Sequence, residues 1–352
     1  MPVFRRRLLA MALPMAALLD MPAPGRASPM PGSFAPLVQR VGPTIVGVSV
    51  IRYAGEPPSR PRLRLSPHSD IGSVHKAGPA DPIRSAGSGF IISASGIIVT
   101  NNHVVGNASR IIVTLDDGTK LPARVAGTDQ LTDLAIVKVE PRGSLPYAQW
   151  GDSARIEVGD WVLAAGNPFD LGTSFTAGII SARGRRISDD SFDRFFQLDA
   201  PINPGNSGGP SFDLNGRVIG VNTAIVSPSG GSVGIGFAIP SDTARFVVGS
   251  LIAYGSVRRG WLGIGVEDRK GGTFGAVITR VEAEGPAARV GLEAGDAIVA
   301  VNHRPVGNAE QLLRSIARAR PGQRDLMEIE RSGRFYALSV DIGQRPDELR
   351  SY

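Results

Sequence analysis

The feature that most restricts the fold is a series of short β-branched runs separated by Gly, Asp and Asn turns: Thr44 to Ile51, Phe90 to Ile92, Ile97 to Thr100, Ile111 to Leu115, Leu134 to Val139, Trp161 to Ala165 and Val218 to Val221. Short strands in such succession predict antiparallel barrels rather than βαβ units. The chain has no cysteine, so packing alone must hold those barrels together. A helix is expected over Ser241 to Tyr254, with Ser241 as N-cap, Ala244, Val247, Val248, Leu251 and Ile252 on its buried face, and Gly255 as its stop. At 352 residues there is room for two or three domains. The segment 28–43 reads as a Pro-rich lead-in. About residues 53–85, polar and without periodicity, read as a flexible functional loop.

Between the strands lies Asn203-Pro-Gly-Asn-Ser-Gly-Gly-Pro210, where a nucleophilic serine is expected at Ser207. Flanking glycines permit a tight turn with positive φ that gathers backbone N–H groups into one space. Such a space stabilises the oxyanion formed when a hydroxyl attacks an amide, an effect of roughly 100- to 1000-fold in rate per donor. A plain surface loop is the competing reading. A serine also needs a base. His68 and His75 fall in a stretch rich in Pro, Ser and Arg, and His303 reads as a turn residue without an acidic neighbour. His103 closes the β-branched run Gly96-Ile-Ile-Val-Thr-Asn-Asn-His-Val-Val105, where it is either a site residue or an ordinary core histidine. Its partner should be a carboxylate. Asp133, at the mouth of the apolar run Leu134 to Val139, fits unless it only caps local amides, and Asp129 is the rival.

His103, Asp133 and Ser207 follow one another at spacings of 30 and 74 residues, an order that resembles the chymotrypsin-like triad. Local wording extends the likeness: Gly87-Ser-Gly-Phe-Ile-Ile92, Val99-Thr-Asn-Asn-His-Val-Val105, Thr132-Asp-Leu-Ala135, Gly166-Asn-Pro-Phe169, Thr176-Ala-Gly-Ile179, Gln197-Leu-Asp-Ala200, Gly205-Asn-Ser-Gly-Gly209, Gly220-Val-Asn-Thr-Ala224 and Gly234-Ile-Gly-Phe-Ala-Ile-Pro240. Over residues 34–255 the chain resembles the HtrA/Deg serine proteases, with a weaker match to about residue 342. The resemblance implies an all-β-dominated fold: a chymotrypsin-like double antiparallel β-barrel over 28–256, then a small α+β PDZ-like domain over 257–345 and a tail over 346–352. It implies Ser207 as nucleophile, His103 as general base and acid, and Asp133 as orienting carboxylate. An oxyanion hole would form in the Gly205, Asn206, Ser207 turn from the amides of Gly205 and Ser207. Asn222, Thr223, Ala224 and Ile225 would line a pocket for a small aliphatic side chain such as Val, Ala or Ile. Where trypsin-like zymogens carry an Asp before the serine, this chain has the neutral Asn206, so activation by N-terminal cleavage is not expected. Asn206 also reads as a turn residue tolerant of left-handed backbone.

Trp261-Leu-Gly-Ile264 resembles the carboxylate-binding loop of PDZ domains, in which Trp261, Leu262, Gly263 and Ile264 would receive a peptide C-terminus. Gly285-Pro-Ala-Ala288, Gly291-Leu-Glu-Ala-Gly-Asp-Ala-Ile298 and a helix near Ala309 to Ala319 agree.

Arg5-Arg-Arg7, the apolar stretch Leu8 to Leu19 and Gly25-Arg-Ala27 read as a secretory signal over residues 1–27, too short to span a bilayer, with Sec or twin-arginine export both open. The protein is therefore expected in the periplasm. Loss of that segment, with four arginines and one aspartate, lowers the net charge from +6 to +3. Basic residues are scattered apart from Arg183-Gly-Arg-Arg186, so nucleic acid is not an expected partner. Gly87-Ser-Gly and Gly234-Ile-Gly lack the setting of a dinucleotide fold, and no Gly-Lys-Ser/Thr phosphate loop is present; no cofactor or metal is expected. Asn107-Ala-Ser109 is a bare glycosylation sequon. The expected activity is an ATP-independent serine endopeptidase acting on unfolded or misfolded envelope proteins, as a homotrimer by resemblance, for which Phe34 in the lead-in is the one supporting residue. A chaperone-like peptide binder with a silent protease, and a sensor protease making one regulatory cut, stand as alternatives.

Overall fold

The computed structural model describes residues 32–52, 83–167, 172–187, 194–225, 232–272 and 274–346. The expected signal segment, His68 and His75, all but the end of the 53–85 loop, and nearly all of the tail lie outside them. The lead-in is more ordered than its prolines suggest: α1 spans Ala35–Val41 and buries Leu37 and Val41, and a 3-10 turn over Gly42–Thr44 follows.

The first barrel consists of β1 (Ile45–Arg52), β2 (Ile83–Ser93), β3 (Ile97–Asn101), β4 (Arg110–Thr114), β5 (Lys120–Asp129) and β6 (Leu134–Val139). Their order is β1-β2-β3-β6-β5-β4, with β4 returning to β1 and every pairing antiparallel. Closure removes free sheet edges. Val46, Val48, Ile91, Ile98, Val113 and Val137 are among the residues that fill the interior. Ile83 to Ser85, expected as the end of the loop, already belong to β2. β5 escaped the sequence reading because its outer positions are polar or exposed, including Lys120, Arg124 and Val125.

The second barrel follows β7 (Gln149–Trp150) and contains β8 (Trp161–Gly166), β9 (Ser174–Arg185), β10 (Phe195–Leu198), β11 (Pro210–Phe212), β12 (Arg217–Ile225) and β13 (Gly236–Pro240). The ring β11-β8-β9-β10-β13-β12 closes through β11 against β12, and β7 lies parallel to β12 outside it. Val162, Ile180, Phe196, Leu198, Ile202 and Ile219 fill its centre.

α2 is a single turn, Asn102–Val105, and α3 spans Ser241–Tyr254 as expected. Two details of α3 differ. Ser241 is its first helical residue, not the cap; its hydroxyl donates to the Gly151 carbonyl (3.1 Å), and the Ser153 hydroxyl accepts from the Asp242 amide (3.0 Å). Ile252 is 50% exposed, because it lies about 90° around the helix from the stripe centred on Ala244, Val247, Val248 and Leu251. Gly255 ends the helix at φ 70° and donates to Leu251 O (2.8 Å). Against this end Gly127 must lack a side chain: a Cβ there would sit 2.9 Å from Gly255 O and 3.1 Å from Leu251.

The C-terminal region pairs β14 (Gly260–Trp261) with β21 (Gly343–Gln344) and builds the sheet β15-β16-β17-β19-β20 from Ile264–Asp268, Ala276–Val281, Ala297–Val301, Arg324–Arg331 and Arg334–Asp341, with β18 (Arg304–Pro305) on β17. α4 (Pro286–Arg289) and α5 (Ala309–Arg318) pack around a core that includes Leu262, Ile278, Ile298, Leu312, Met327 and Val340. Asn308 caps α5 by accepting from the Gln311 amide (2.8 Å). Asn302 and His303, at φ 48° and 62°, form the two-residue turn between β17 and β18. The turn assignment of His303 is right, but it does have an acidic neighbour: its Nδ1 lies 2.8 Å from Glu328 Oε1.

Arg259, just before β14, reaches back to β5 and grips Asp129 with both guanidinium nitrogens (2.8 and 2.6 Å). The pair is buried, with side chains 12% and 8% exposed. Arg194 holds Glu310 of α5 in the same bidentate way (2.7 and 2.8 Å), and Arg318 of α5 reaches Asp242 (3.1 Å). Removing one partner of a buried pair leaves an uncompensated charge. Arg259→Ala is expected to destabilise the first barrel by about 3 kcal/mol, read as a lower urea midpoint for the fluorescence of Trp150. An unchanged midpoint would mean that Asp129 finds water or another donor at no cost.

Candidate active site

Asp133 stands at φ 56°, a left-handed conformation that costs a non-glycine residue on the order of 1 kcal/mol. Three hydrogen bonds hold it there: the Asn101 side-chain amide (2.8 Å) and the Asn102 N–H (3.0 Å) donate to its carbonyl, while its own N–H donates to Gln130 O (3.4 Å). The turned backbone aims the carboxylate at α2. Oδ1 accepts the His103 backbone N–H (2.9 Å), and Oδ2 lies 2.6 Å from His103 Nδ1. A proton on Nδ1, donated to Oδ2, leaves Nε2 as the basic nitrogen. Among the described residues Nε2 has no hydrogen-bond partner. His103 is thus not the last residue of a strand, as expected, but sits in the one-turn helix after β3. Asp129 is not its partner, being occupied by Arg259 and by the Thr132 N–H and hydroxyl.

Desolvation of the imidazole lowers its pKa, and the charge of Arg52 adds to that. The Asp133 carboxylate, through charge and hydrogen bond, outweighs both, so the pKa is raised above its ordinary value. Half of the His103 side chain nevertheless stays exposed. Arg52, at the end of β1, donates to the carbonyls of His103 and Val104 (3.3 and 3.5 Å), which steadies the helical turn.

Ser207 arrives from the second barrel. Asn203 to Asn206 close a turn in which the Asn206 N–H donates to Asn203 O (3.0 Å), with Pro204 followed by Gly205 at φ 100°. Gly208 takes φ 85°, so the positive angles fall on glycines and not on Asn206. Gly208 N–H donates to Asn222 O and Asn222 N–H to Gly209 O, both at 2.8 Å, zipping the loop onto β12. Because the Asn206 N–H is used inside the turn, the free donors are those of Gly205 and Ser207, neither of which meets an acceptor among the described residues.

Thr223 joins the two halves. Its hydroxyl donates to Asp133 Oδ2 (2.9 Å), and its carbonyl accepts the Ser207 hydroxyl (3.3 Å). His103, Asp133 and Ser207, distant in sequence, are brought together around this residue. In sequence Thr223 is only one residue of a pocket wall, since no spacing rule reveals a hydroxyl reaching into the other barrel. Asn222 does not turn its side chain to the cleft: it is fully buried, donates to Ala165 O (3.1 Å) and Pro210 O (3.4 Å), and accepts from Ser211 (2.6 Å). Ala224 and Ile225 continue the backbone of β12.

In the C-terminal region, Trp261 lies in β14 and Ile264 opens β15. Between them the Leu262 carbonyl accepts from Ala287 (3.0 Å) and the Gly263 carbonyl from Glu282 (2.8 Å), while the Leu262 and Gly263 N–H groups meet no acceptor among the described residues. Gly263 adopts φ 74°, and a Cβ there would press on the Trp261 ring at 3.1 Å. Such a loop can offer amides to a carboxylate.

Two closed antiparallel barrels meeting at this cluster, followed by a PDZ domain, define a trypsin-like serine endopeptidase. The family described as "Trypsin-like peptidase domain" matches residues 87–221, and the family "PDZ domain" matches residues 260–342. A "Probable periplasmic serine endoprotease DegP-like" of Brucella melitensis is 41% identical over 364 residues, covering 91% of this chain and 70% of that protein. A protein of the same name from Bartonella henselae is 48% identical over 275 residues, 74% of this chain and 54% of the relative. Among solved structures, "HtrA-type protease AlgW with tripeptide" superposes with a TM-score of 0.75 at 38% identity, covering 89% of this chain and 98% of the other. The serine endoprotease from Yersinia pestis gives 0.65 at 35%, covering 90% and 100%. The chain belongs to the HtrA family of serine proteases.

A base must be neutral to accept a proton, so activity should fall as pH drops through the raised His103 pKa. The acidic limb of kcat/KM is expected above the roughly 6.5 of a free imidazole. Asp133→Asn should move it downward and reduce kcat on the order of 10⁴-fold. A pH–rate profile on a peptide substrate checks both; a limb that does not move would separate Asp133 from the titration.

Proposed function

We propose that this protein is an ATP-independent endopeptidase of the periplasm that cleaves unfolded or misfolded envelope proteins. His103, Asp133 and Ser207 act as its triad. The observation that carries the reading is the convergence on Thr223, which binds Asp133 through its side chain and Ser207 through its backbone. Rotation of the serine hydroxyl from Thr223 O towards the free Nε2 would let His103 take the proton as Oγ attacks the scissile carbonyl. Asp133 stabilises the imidazolium, and the Gly205 and Ser207 N–H groups receive the oxyanion. His103 then protonates the leaving amine, and water releases the acyl group by the same steps in reverse.

The β12 backbone from Asn222 to Ile225 would flank the residue before the cut, for which Val, Ala or Ile is preferred. The loop Trp261 to Ile264 would bind peptide C-termini, in keeping with the structures of AlgW with a tripeptide and with a decapeptide. Residues 1–27 would be an export signal, which agrees with the compartment in the relatives' names.

Purified protein should degrade reduced casein without ATP, and Ser207→Ala should abolish this while leaving circular dichroism and peptide binding unchanged. Equal activity in both proteins would defeat the proposal. The homotrimer proposed from the family likeness should scatter light with three times the protomer mass; a monomer would remove that part alone.

A further inference from the structure

Ser88 of β2 lies directly beneath the Ser207 turn and is fully buried. Ser88 faces Gly47 of β1 on one side, but β3 pairs with β2 only from Phe90 opposite Val99 onward, so the β3-facing edge of β2 at Ser88 has no strand beside it. The serine loop takes that place. Ser88 N–H donates to Ser207 O (2.9 Å), and its hydroxyl donates to Gly205 O (2.6 Å) while accepting from Asn167 N–H (2.7 Å). The Ser88 carbonyl in turn accepts the buried Thr100 hydroxyl (2.7 Å). One residue therefore holds the carbonyls of both Gly205 and Ser207.

The Gly205 carbonyl shares a peptide plane with the Asn206 N–H. That plane is pinned at one end by Ser88 and at the other by Asn203 O (3.0 Å). The two free amides, those of Gly205 and Ser207, belong to the planes on either side. Gly205 has no side chain to restrict its rotation, so such a turn drifts unless something fixes it. Asn206 does not do this by charge, being neutral, and its buried Oδ1 has no partner among the described residues. Space around Ser88 is equally restricted: a Cβ on Gly166 would stand 2.8 Å from the Ser88 hydroxyl, and one on Gly208 would collide with the Ser88 carbonyl. A carbonyl pinned through a neutral hydroxyl needs no newly cut N-terminus to form.

We propose that Ser88 is a positioning residue that locks the oxyanion-binding turn in its active form, taking the part that a charge pair plays in cleavage-activated proteases. This rests on the reading of Ser207 as nucleophile. Loosening the turn should weaken stabilisation of the tetrahedral intermediate and leave ground-state binding of substrate alone.

The test is Ser88→Ala in the full chain, assayed beside wild type and Ser207→Ala on a fluorogenic peptide cleaved after Val. A drop in kcat of about 10- to 100-fold is expected, somewhat less than the loss of a whole oxyanion donor, with KM within about twofold. Inhibition by a valine-terminated peptide aldehyde, whose adduct places an oxyanion in the same turn, should weaken in parallel with kcat/KM. A role limited to stability would lower the melting temperature without that parallel. If Ser88→Ala does not fold, Ser88→Cys, with its weaker donor, is judged by the same criteria. The proposal is overturned if the folded variant keeps wild-type kcat, or if kcat falls while aldehyde affinity does not. Activity persisting in Ser207→Ala would overturn the nucleophile reading and this one with it, whereas a silent Ser207→Ala beside a fully active Ser88→Ala overturns only this one.

Discussion

The left-handed turn at Asp133 is the constraint on which the rest of the site depends. A non-glycine residue at φ 56° is unfavourable, and the first barrel holds it there with hydrogen bonds from Asn101 and Asn102. In return both carboxylate oxygens face α2, one on the His103 backbone and one on its ring. The same carboxylate accepts the Thr223 hydroxyl from the second barrel, so one side chain fixes the imidazole and registers the two barrels against each other. A residue with an extended backbone at 133 would point the carboxylate elsewhere and break its contacts with both His103 and Thr223.

The same turn is braced from outside. Asp129, four residues before Asp133, is bound by Arg259 at the start of the C-terminal region, and Thr132 donates to it as well. The segment that positions the Asp133 carboxylate is therefore tied to the linker that leads into the PDZ domain. Arg194 and Glu310 make a second tie, between the approach to β10 and the helix α5. The Glu310 carboxyl pKa is lowered, first by the hydrogen bond from Arg194, so this contact outlasts the protonation of a free glutamate as pH falls.

Much of this was legible in the sequence where local pattern and local structure coincide. The β-branched runs became barrel strands, the apolar spacing from Ser241 to Tyr254 became a helix, and Gly255 ended it. What stayed hidden depends on contacts between distant segments. β5 hides because its outward residues are polar; Ser241 was misread as a cap because Ser153, from another segment, supplies the capping hydroxyl. The resemblance puts Asn222 in a pocket wall as part of a segment, and a segment does not reveal that this one side chain turns inward, where β12 shifts register between Asn222 and Ala224. Thr223 and Ser88 went unrecognised for a similar reason: each acts through hydrogen bonds to a loop of the other barrel, and neither residue type announces that.

Peptide cleavage at this site requires Ser207 to be a hydroxyl made nucleophilic by His103. The most direct measurement is covalent labelling with a fluorophosphonate, followed by mass spectrometry of the digested protein. A single phosphonate on Ser207, formed by the wild type and absent when His103 is replaced by Ala, is the predicted result. Labelling at another serine, or at Ser207 just as fast without the imidazole, would contradict it.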